Sequence, residues 1–125
     1  MQLYASVGSN DLGRAIPFYE ALLGSIGWSK LFDNPGGGSF FGSIADGWFA
    51  VVTPFDGAPA TVGNGTMVGF AFNSQKEVAD FYAKALELGG TDDGAPGDRG
   101  GGSFFAYFRD LDGNKLCAWT FAPPA

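Results

Sequence analysis

The chain has 125 residues, 46% of them apolar and 16% aromatic, with 21 glycines, one cysteine, no histidine and a formal net charge of −6. That length and apolar content give one domain with a sizeable core and exclude a disordered chain. The acidic balance argues against a nucleic-acid partner and favours a cationic ligand, and no apolar run approaches the roughly 18 residues that a membrane span needs.

The first residues, MQLYASVGSND, have neither the basic nor the apolar region of a secretory signal. The lone Cys117 permits no internal disulfide and fits a reducing compartment, so a cytoplasmic location is expected. Alternation predicts a strand over residues 3–8, and Asp11 is placed to cap a helix over residues 12–24. Ala15, Phe18 and Leu22 fall on one stripe of that helix, and Gly27 ends it. Three strands separated by Gly and Asp-Gly turns follow. The order then starts again. A strand is predicted over residues 67–72, with Ser74 as the next cap and Glu77 three residues on. A helix over residues 75–88 carries Val78, Phe81, Tyr82 and Ala85 on its stripe, and Gly89-Gly90 closes it. Residues 89–102, GGTDDGAPGDRGGG, read as a long flexible loop able to close over a site. Asp92, Asp93 and Asp98 within it lack the spacing and final Glu of a calcium loop. The sequon Asn64-Gly65-Thr66 reads as a turn.

The two halves are copies of one module. GGGSFF stands at residues 36–41 and again at 100–105. Phe18-Tyr19 matches Phe81-Tyr82, Gly27 matches Gly90, and Tyr4 to Val7 falls on Met67 to Phe70. Asp46-Gly47 matches Asp112-Gly113 once two residues are added to the second copy. The modules run over residues 1–60 and 64–125, each in the order βαβββ. Too few helices are available for parallel βαβ packing, so the fold is read as α+β, each helix covering one side of a mostly antiparallel sheet. GGGSFF is read as a turn leading into the same strand of each module. No Lys-Ser/Thr follows it, so it is not a phosphate loop.

The stretches YASVGSNDLGRAIPFYEALLGSIGW, GNGTMVGFAF, EVADFYAKALELGG and FFAYFRDLDGNKLCAW, in this order and in a duplicated chain, resemble the vicinal oxygen chelate superfamily. That superfamily includes glyoxalases, bleomycin-resistance proteins and extradiol dioxygenases, and the resemblance spans nearly the whole chain. It implies a single glyoxalase-like domain over residues 1–125, with two tandem βαβββ modules forming a cup-shaped mixed sheet, helices outside and the site within. It also implies homodimer formation. Metal-using members place four ligands, usually His, Glu or Gln, on the first and last strands of the two modules. Here these positions map by resemblance onto Tyr4, Val51, Met67 and Cys117. Val51 has no donor atom, Met67 is a soft ligand, the Tyr4 phenol is protonated near neutrality and a lone thiolate holds a metal poorly. No metal and no cofactor are therefore expected. The missing histidine also removes Ser-His-Asp and Cys-His chemistry.

Strand alternation then assigns the wall of the cup. Leu3, Ala5 and Val7 are turned towards a helix, leaving Tyr4, Ser6 and Gly8 on the other face. The same parity places Met67, Phe105, Tyr107, Arg109, Lys115, Cys117 and Trp119 on the cup side of the second module, and Phe41, Ser43, Phe49 and Val51 on that of the first. Aromatic rings with a few polar groups compose a small-molecule pocket, and such walls suit planar or cationic guests. The expected function is metal-free binding of a partly aromatic, possibly cationic ligand. The alternative is a metal-independent lyase- or isomerase-like enzyme, with Tyr4 or Tyr107 carrying the proton and Lys115 or Arg109 stabilising charge. Lys115, two residues from Cys117, would be the cation needed to activate that thiol; a buried, inert thiol is the simpler expectation.

Overall fold

Both helices begin at their expected caps in the computed structural model, which describes residues 2–124. The Asp11 carboxylate accepts a hydrogen bond from the Arg14 N–H at 3.2 Å, and the Ser74 hydroxyl accepts one from the Glu77 N–H at 3.1 Å. The Ser74 hydroxyl also donates to the Glu77 carboxylate at 3.0 Å, so cap and third residue hold each other. Among the described residues the elements are β1 (Tyr4–Gly8), α1 (Leu12–Gly24), β2 (Ser29–Asp33), β3 (Gly38–Ser43), β4 (Gly47–Val52), β5 (Val68–Ala71), α2 (Gln75–Glu87), β6 (Thr91–Gly100), β7 (Ser103–Arg109) and β8 (Lys115–Thr120). None of the helices is long and apolar enough to cross a membrane.

The chain divides into two compact units between Asn64 and Gly65. Each repeats βαβββ, and each makes its own four-stranded mixed sheet: β1-β4-β3-β2 in the first unit, β5-β8-β7-β6 in the second. The α+β duplication is therefore as expected, but the hydrogen bonding forms two sheets rather than one. In both, the first and last strands run parallel and the other pairs are antiparallel.

Each helix buries its apolar stripe against its own sheet. Ala15, Phe18, Tyr19, Leu22 and Leu23 of α1 are buried, as are Val78, Phe81 and Ala85 of α2. Tyr19 meets Phe49 of β4 with ring centroids 4.9 Å apart, and Phe81 meets Phe70 of β5 at 5.3 Å and Phe108 of β7 at 5.8 Å. Burying one such ring contributes roughly 1.5–3 kcal/mol, so these aromatic centres anchor each helix to its sheet.

Residues 89–102 are not a loop. β6 pairs along β7 from Thr91 to Gly100, with register shifts at Asp92/Gly94, Gly94/Gly97 and Asp98/Gly100. The glycines that argued for flexibility supply the bulges that let an irregular polar edge strand keep its partner. The stretch is thus part of the sheet and not a closing lid.

The repeated hexapeptide ends in the same kind of place but in a different phase. Both copies form the turn into the third strand of their module. In the first unit Phe41 pairs with Phe49 and lies fully buried beneath α1, while Phe40 pairs with Ala50 and turns to the other face. In the second unit Phe108, not Phe105, is buried beneath the helix, paired with Leu116, and Phe105 stands on the other face. The β6–β7 hairpin is longer, so its GGGSFF forms the tip and Phe105 falls an odd number of positions short of Phe108, the counterpart of Phe41, and so on the opposite face. Gly38 of the first copy has φ +114, and a Cβ there would strike the Val51 carbonyl, so no other residue fits this turn.

Candidate functional site

Each sheet has one face covered by its own helix and a second face that the helix leaves uncovered. On the second unit, alternation sends Phe105, Tyr107 and Trp119 to the uncovered face. Phe105 lies nearly parallel to Tyr107 (centroids 5.7 Å, 14° between planes) and to Trp119 (5.9 Å, 15°). Phe121 meets Trp119 edge-on at 5.7 Å and extends the row past the end of β8. Gly69 of β5 forms the floor beside it. A Cβ there would lie 2.9 Å from the Cys117 sulfur and 3.3 Å from the Trp119 Nε1, so side chains of the neighbouring strand fold over this glycine.

Charged groups gather at the Tyr107 end. The Lys115 Nζ lies 5.0 Å and the Arg99 guanidinium carbon 5.6 Å from the centre of the Tyr107 ring. Lys115 and Arg109 each bond the Asp93 carboxylate at 3.1 Å. The Lys115 hydrogen bond, with the charges of Lys115 and Arg109, holds the Asp93 carboxyl below its ordinary value. The contribution of this pairing is present above about the unfolded carboxyl pKa of 3.8 and is lost as pH falls through the lower folded value.

Cys117 sits on this face between its strand partners Gly69 and Tyr107, yet only 1% of it is exposed. Burial pushes its thiol up to about 11, and the nearby Lys115 charge offsets this only in part. The geometry thus opposes the activated nucleophile and favours the inert thiol. The folded protein should resist iodoacetamide at pH 8, whereas the urea-unfolded chain should alkylate readily; equal rates in both states would overturn this placement. The thiol is neutral in the fold and ionises near 9.0 unfolded, so its stabilising share is complete below pH 9 and declines towards pH 11.

The first unit departs from expectation. Phe41, Phe49 and Val51 are fully buried on the helix side, and Ser43 exchanges hydrogen bonds with Asp46 in the β3–β4 turn. All four were expected on the uncovered face. Parity failed there because the GGGSFF and Asp-Gly matches each set the two modules out of register by an odd number of residues. The pairs show the true correspondence: Gly42 opposes Trp48 as Arg109 opposes Lys115. Ala50, not Val51, thus stands where Cys117 stands in the second unit. The residues that do gather on this face are Tyr4, Phe32, Phe40 and Trp48. Phe40 lies 5.3 Å from Tyr4, 4.6 Å from Phe32 and 5.9 Å from Trp48. Tyr4 stays 57% exposed and Trp48 38%. The last three escaped sequence reasoning, because Phe32 follows Leu31, Phe40 precedes Phe41 and Trp48 precedes Phe49, so each has a large apolar neighbour and no alternation marks its face. Beside them lies a cleft of about 900 Å³, lined by Tyr4, Ser6, Asn34, Pro54, Phe55 and Ala60 among others. Asn10 fixes its wall, donating to the Ala60 carbonyl at 3.1 Å and accepting from the Ala60 N–H at 2.7 Å.

Neither unit offers a donor set for a divalent ion. Tyr4 with Ala50 or Val51, and Met67 with Cys117, supply a phenol, a thioether and one buried neutral thiol. Among the described residues no three Cys, Asp or Glu side chains are grouped so as to hold a metal. These residues do not fit the metal of the metal-using relatives, and no catalytic step is derived through one.

Residues 2–118 match the family model described as the Glyoxalase/Bleomycin resistance protein/Dioxygenase superfamily. A crystal structure of a glyoxalase/bleomycin resistance protein from Albidiferax ferrireducens T118 is similar at 42% identity and a TM-score of 0.84, covering 94% of this chain and 95% of that one. The fold also resembles a glyoxalase/bleomycin resistance protein/dioxygenase family enzyme from Burkholderia phytofirmans PsJN (12% identity, TM-score 0.74, 94% and 96% covered). It resembles a lactoylglutathione lyase from Agrobacterium tumefaciens as well (20% identity, TM-score 0.70, 94% and 91% covered). No curated protein matches the chain.

Proposed function

The chain belongs to the glyoxalase/bleomycin resistance protein/dioxygenase superfamily, and from that premise we propose that it is a metal-independent small-molecule-binding protein that holds a planar, partly aromatic ligand. The observation that carries this reading is the row of near-parallel rings, Phe105, Tyr107 and Trp119, on the sheet face that α2 does not cover. A core needs only one face of this sheet, and that face is already filled by Phe70, Phe81, Phe108 and Leu116. Flat apolar surface flanked by a few charged groups is the composition of a ligand site. Binding needs no proton carrier and no metal, which suits a chain with no histidine and, among the described residues, no fitting donor set. The enzyme alternative asks Tyr4 or Tyr107 to carry a proton and Lys115 or Arg109 to stabilise charge. Both cations are tied to Asp93, and the Lys115 ammonium lies over the ring of Tyr107, which supports binding over that reading.

The test is a thermal-shift and tryptophan-fluorescence titration of the full chain with naphthalene and quinoline compounds, in parallel with zinc, manganese and nickel. Aromatic compounds should raise the melting temperature by mass action, and the metals should leave it unchanged. Trp119→Ala should weaken aromatic binding about tenfold, since stacking on one ring is worth about 1–3 kcal/mol. Stabilisation by a metal would overturn the metal-independent reading, and aromatic binding untouched by Trp119→Ala would overturn the ring row as the ligand's seat. A homodimer, and the cytoplasm as its place of action, belong to the same proposal.

A further inference from the structure

The net charge of −6 favours a cationic guest, but the local charge on the ring-bearing face has the opposite sign. Three of the seven basic side chains of the protein converge on one end of the ring row. Lys115 and Arg99 stand within cation–π reach of Tyr107, and Arg109 lies at the next outward position on β7. Among the described residues one carboxylate, Asp93, pairs with them, and it bonds only Lys115 and Arg109. The other acids of β6 are committed elsewhere. Asp92 accepts from the Tyr82 hydroxyl at 2.8 Å and Asp98 from the Gly100 N–H at 2.6 Å.

Arg99 is also placed by the backbone around it. Its guanidinium donates to the Ala95 carbonyl at 2.7 Å. It passes so near Gly97 that a Cβ there would lie 2.7 Å from its Nη1. At Gly94 a Cβ would lie 2.9 Å from the Tyr107 ring and 3.5 Å from the Arg99 Nη2. These two glycines leave the space in which an exposed arginine of an edge strand folds back over a tyrosine. A guanidinium held there, with one of its three nitrogens on a carbonyl and no ion pair among the described residues, retains N–H donors in the fork geometry that suits an oxyanion. A cationic ligand would meet like charge at this end, and a neutral one would leave these donors unused.

We propose that this end of the face recognises an oxyanion, so that the ligand is a planar aromatic compound bearing a carboxylate or phosphate. The rings from Phe105 to Trp119 take the flat part, and Arg99, Lys115 and Arg109 take the charge. Asp93 is an internal competitor: it occupies Lys115 and Arg109 until a ligand oxyanion displaces or shares them. This inference rests on the reading that the ring row binds a planar ligand.

The experiment compares 2-naphthoate, 2-naphthyl phosphate, 2-naphthamide and 2-naphthylmethylammonium with the full chain at low salt, followed by calorimetry and tryptophan fluorescence. The two anions should bind at least tenfold more tightly than the amide, and the ammonium most weakly. The ratio of carboxylate to phosphate affinity shows which oxyanion the site prefers. Arg99→Ala should cost the anions at least fivefold and the amide much less. Gly97→Ala, which displaces the guanidinium without removing it, should produce part of that loss. Asp93→Asn should tighten anion binding severalfold, a gain that misfolding would not produce. If amide and anions bind equally, or if Arg99→Ala and Asp93→Asn leave anion affinity unchanged, the oxyanion site is overturned and the planar-ligand reading stands. If none of the four compounds binds, both fall.

Discussion

Phe41→Ala should destabilise the protein by about 3–5 kcal/mol, the usual range for emptying a large aromatic side chain from a core. Phe105→Ala should cost about 1 kcal/mol, the scale of lost ring–ring contacts on a half-buried face. The comparison is sharp because the two phenylalanines end the same six letters, GGGSFF. Any argument from local sequence assigns them the same environment. The structure assigns them opposite ones: Phe41 is buried beneath α1, whereas Phe105 stands beside Tyr107 and Trp119. Urea unfolding of the two variants, read as midpoint shifts at constant slope, measures the difference directly. Similar losses would mean that the two copies keep the same phase and that the pairing of Phe41 with Phe49 is misassigned. Binding should show the reverse order. Phe105→Ala should weaken planar ligands, while Phe41→Ala, where it still folds, should leave their affinity near that of the parent.

The fold was legible because its signals were local and redundant. Each helix had a cap, an apolar stripe and a terminal glycine, and β1 and β5 showed clean alternation fixed by Val7 and Phe70. Half of the candidate site was legible for the same reason. Tyr107, Cys117 and Trp119 alternate with Phe108, Leu116 and Ala118, which are plainly core. The first unit was not legible, because Phe40-Phe41 places a large ring on each face and satisfies either parity. The choice then fell to the GGGSFF and Asp-Gly matches, and a slip of any odd number of residues turns every side chain to the other face. β6 was illegible for another reason. Its TDDGAPGDRG has no alternation and little β-propensity, and its strand form comes from β7, which offers it a partner along the whole length. The local charge of the ring row was not legible because net charge is an average. Arg99, Arg109 and Lys115 come from β6, β7 and β8 and meet only through sheet pairing.

Asp110→Ala should cost about 2–4 kcal/mol, a large effect for a polar residue in a turn, because it strands several buried donors at once. The motif RDLDGNK joins β7 to β8 and was the most specific part of the family resemblance. Between the two cations at its ends, its chemistry is inward. The Asp110 Oδ1 accepts the backbone N–H groups of Asp112 and Asn114, both at 2.9 Å. The Oδ2 accepts the Asn114 side-chain amide at 3.0 Å. Asp110 and Asn114 also close the turn through their backbones, the Asp110 N–H donating to the Asn114 carbonyl at 3.0 Å. Both residues are buried, so water cannot replace a lost acceptor cheaply. Asp110→Asn keeps one acceptor oxygen and should recover more than half of the loss; Asn114→Ala removes the side-chain donor to Oδ2, leaves the two backbone donors on Oδ1 and should cost about 1 kcal/mol. The turn also sets the register in which Arg109 opposes Lys115. Loosening it should therefore weaken the hold of both cations on Asp93 before the sheet unfolds. A stable Asp110→Ala protein with unaltered anion affinity would mean that this turn neither holds the hairpin nor places the basic end of the ring row.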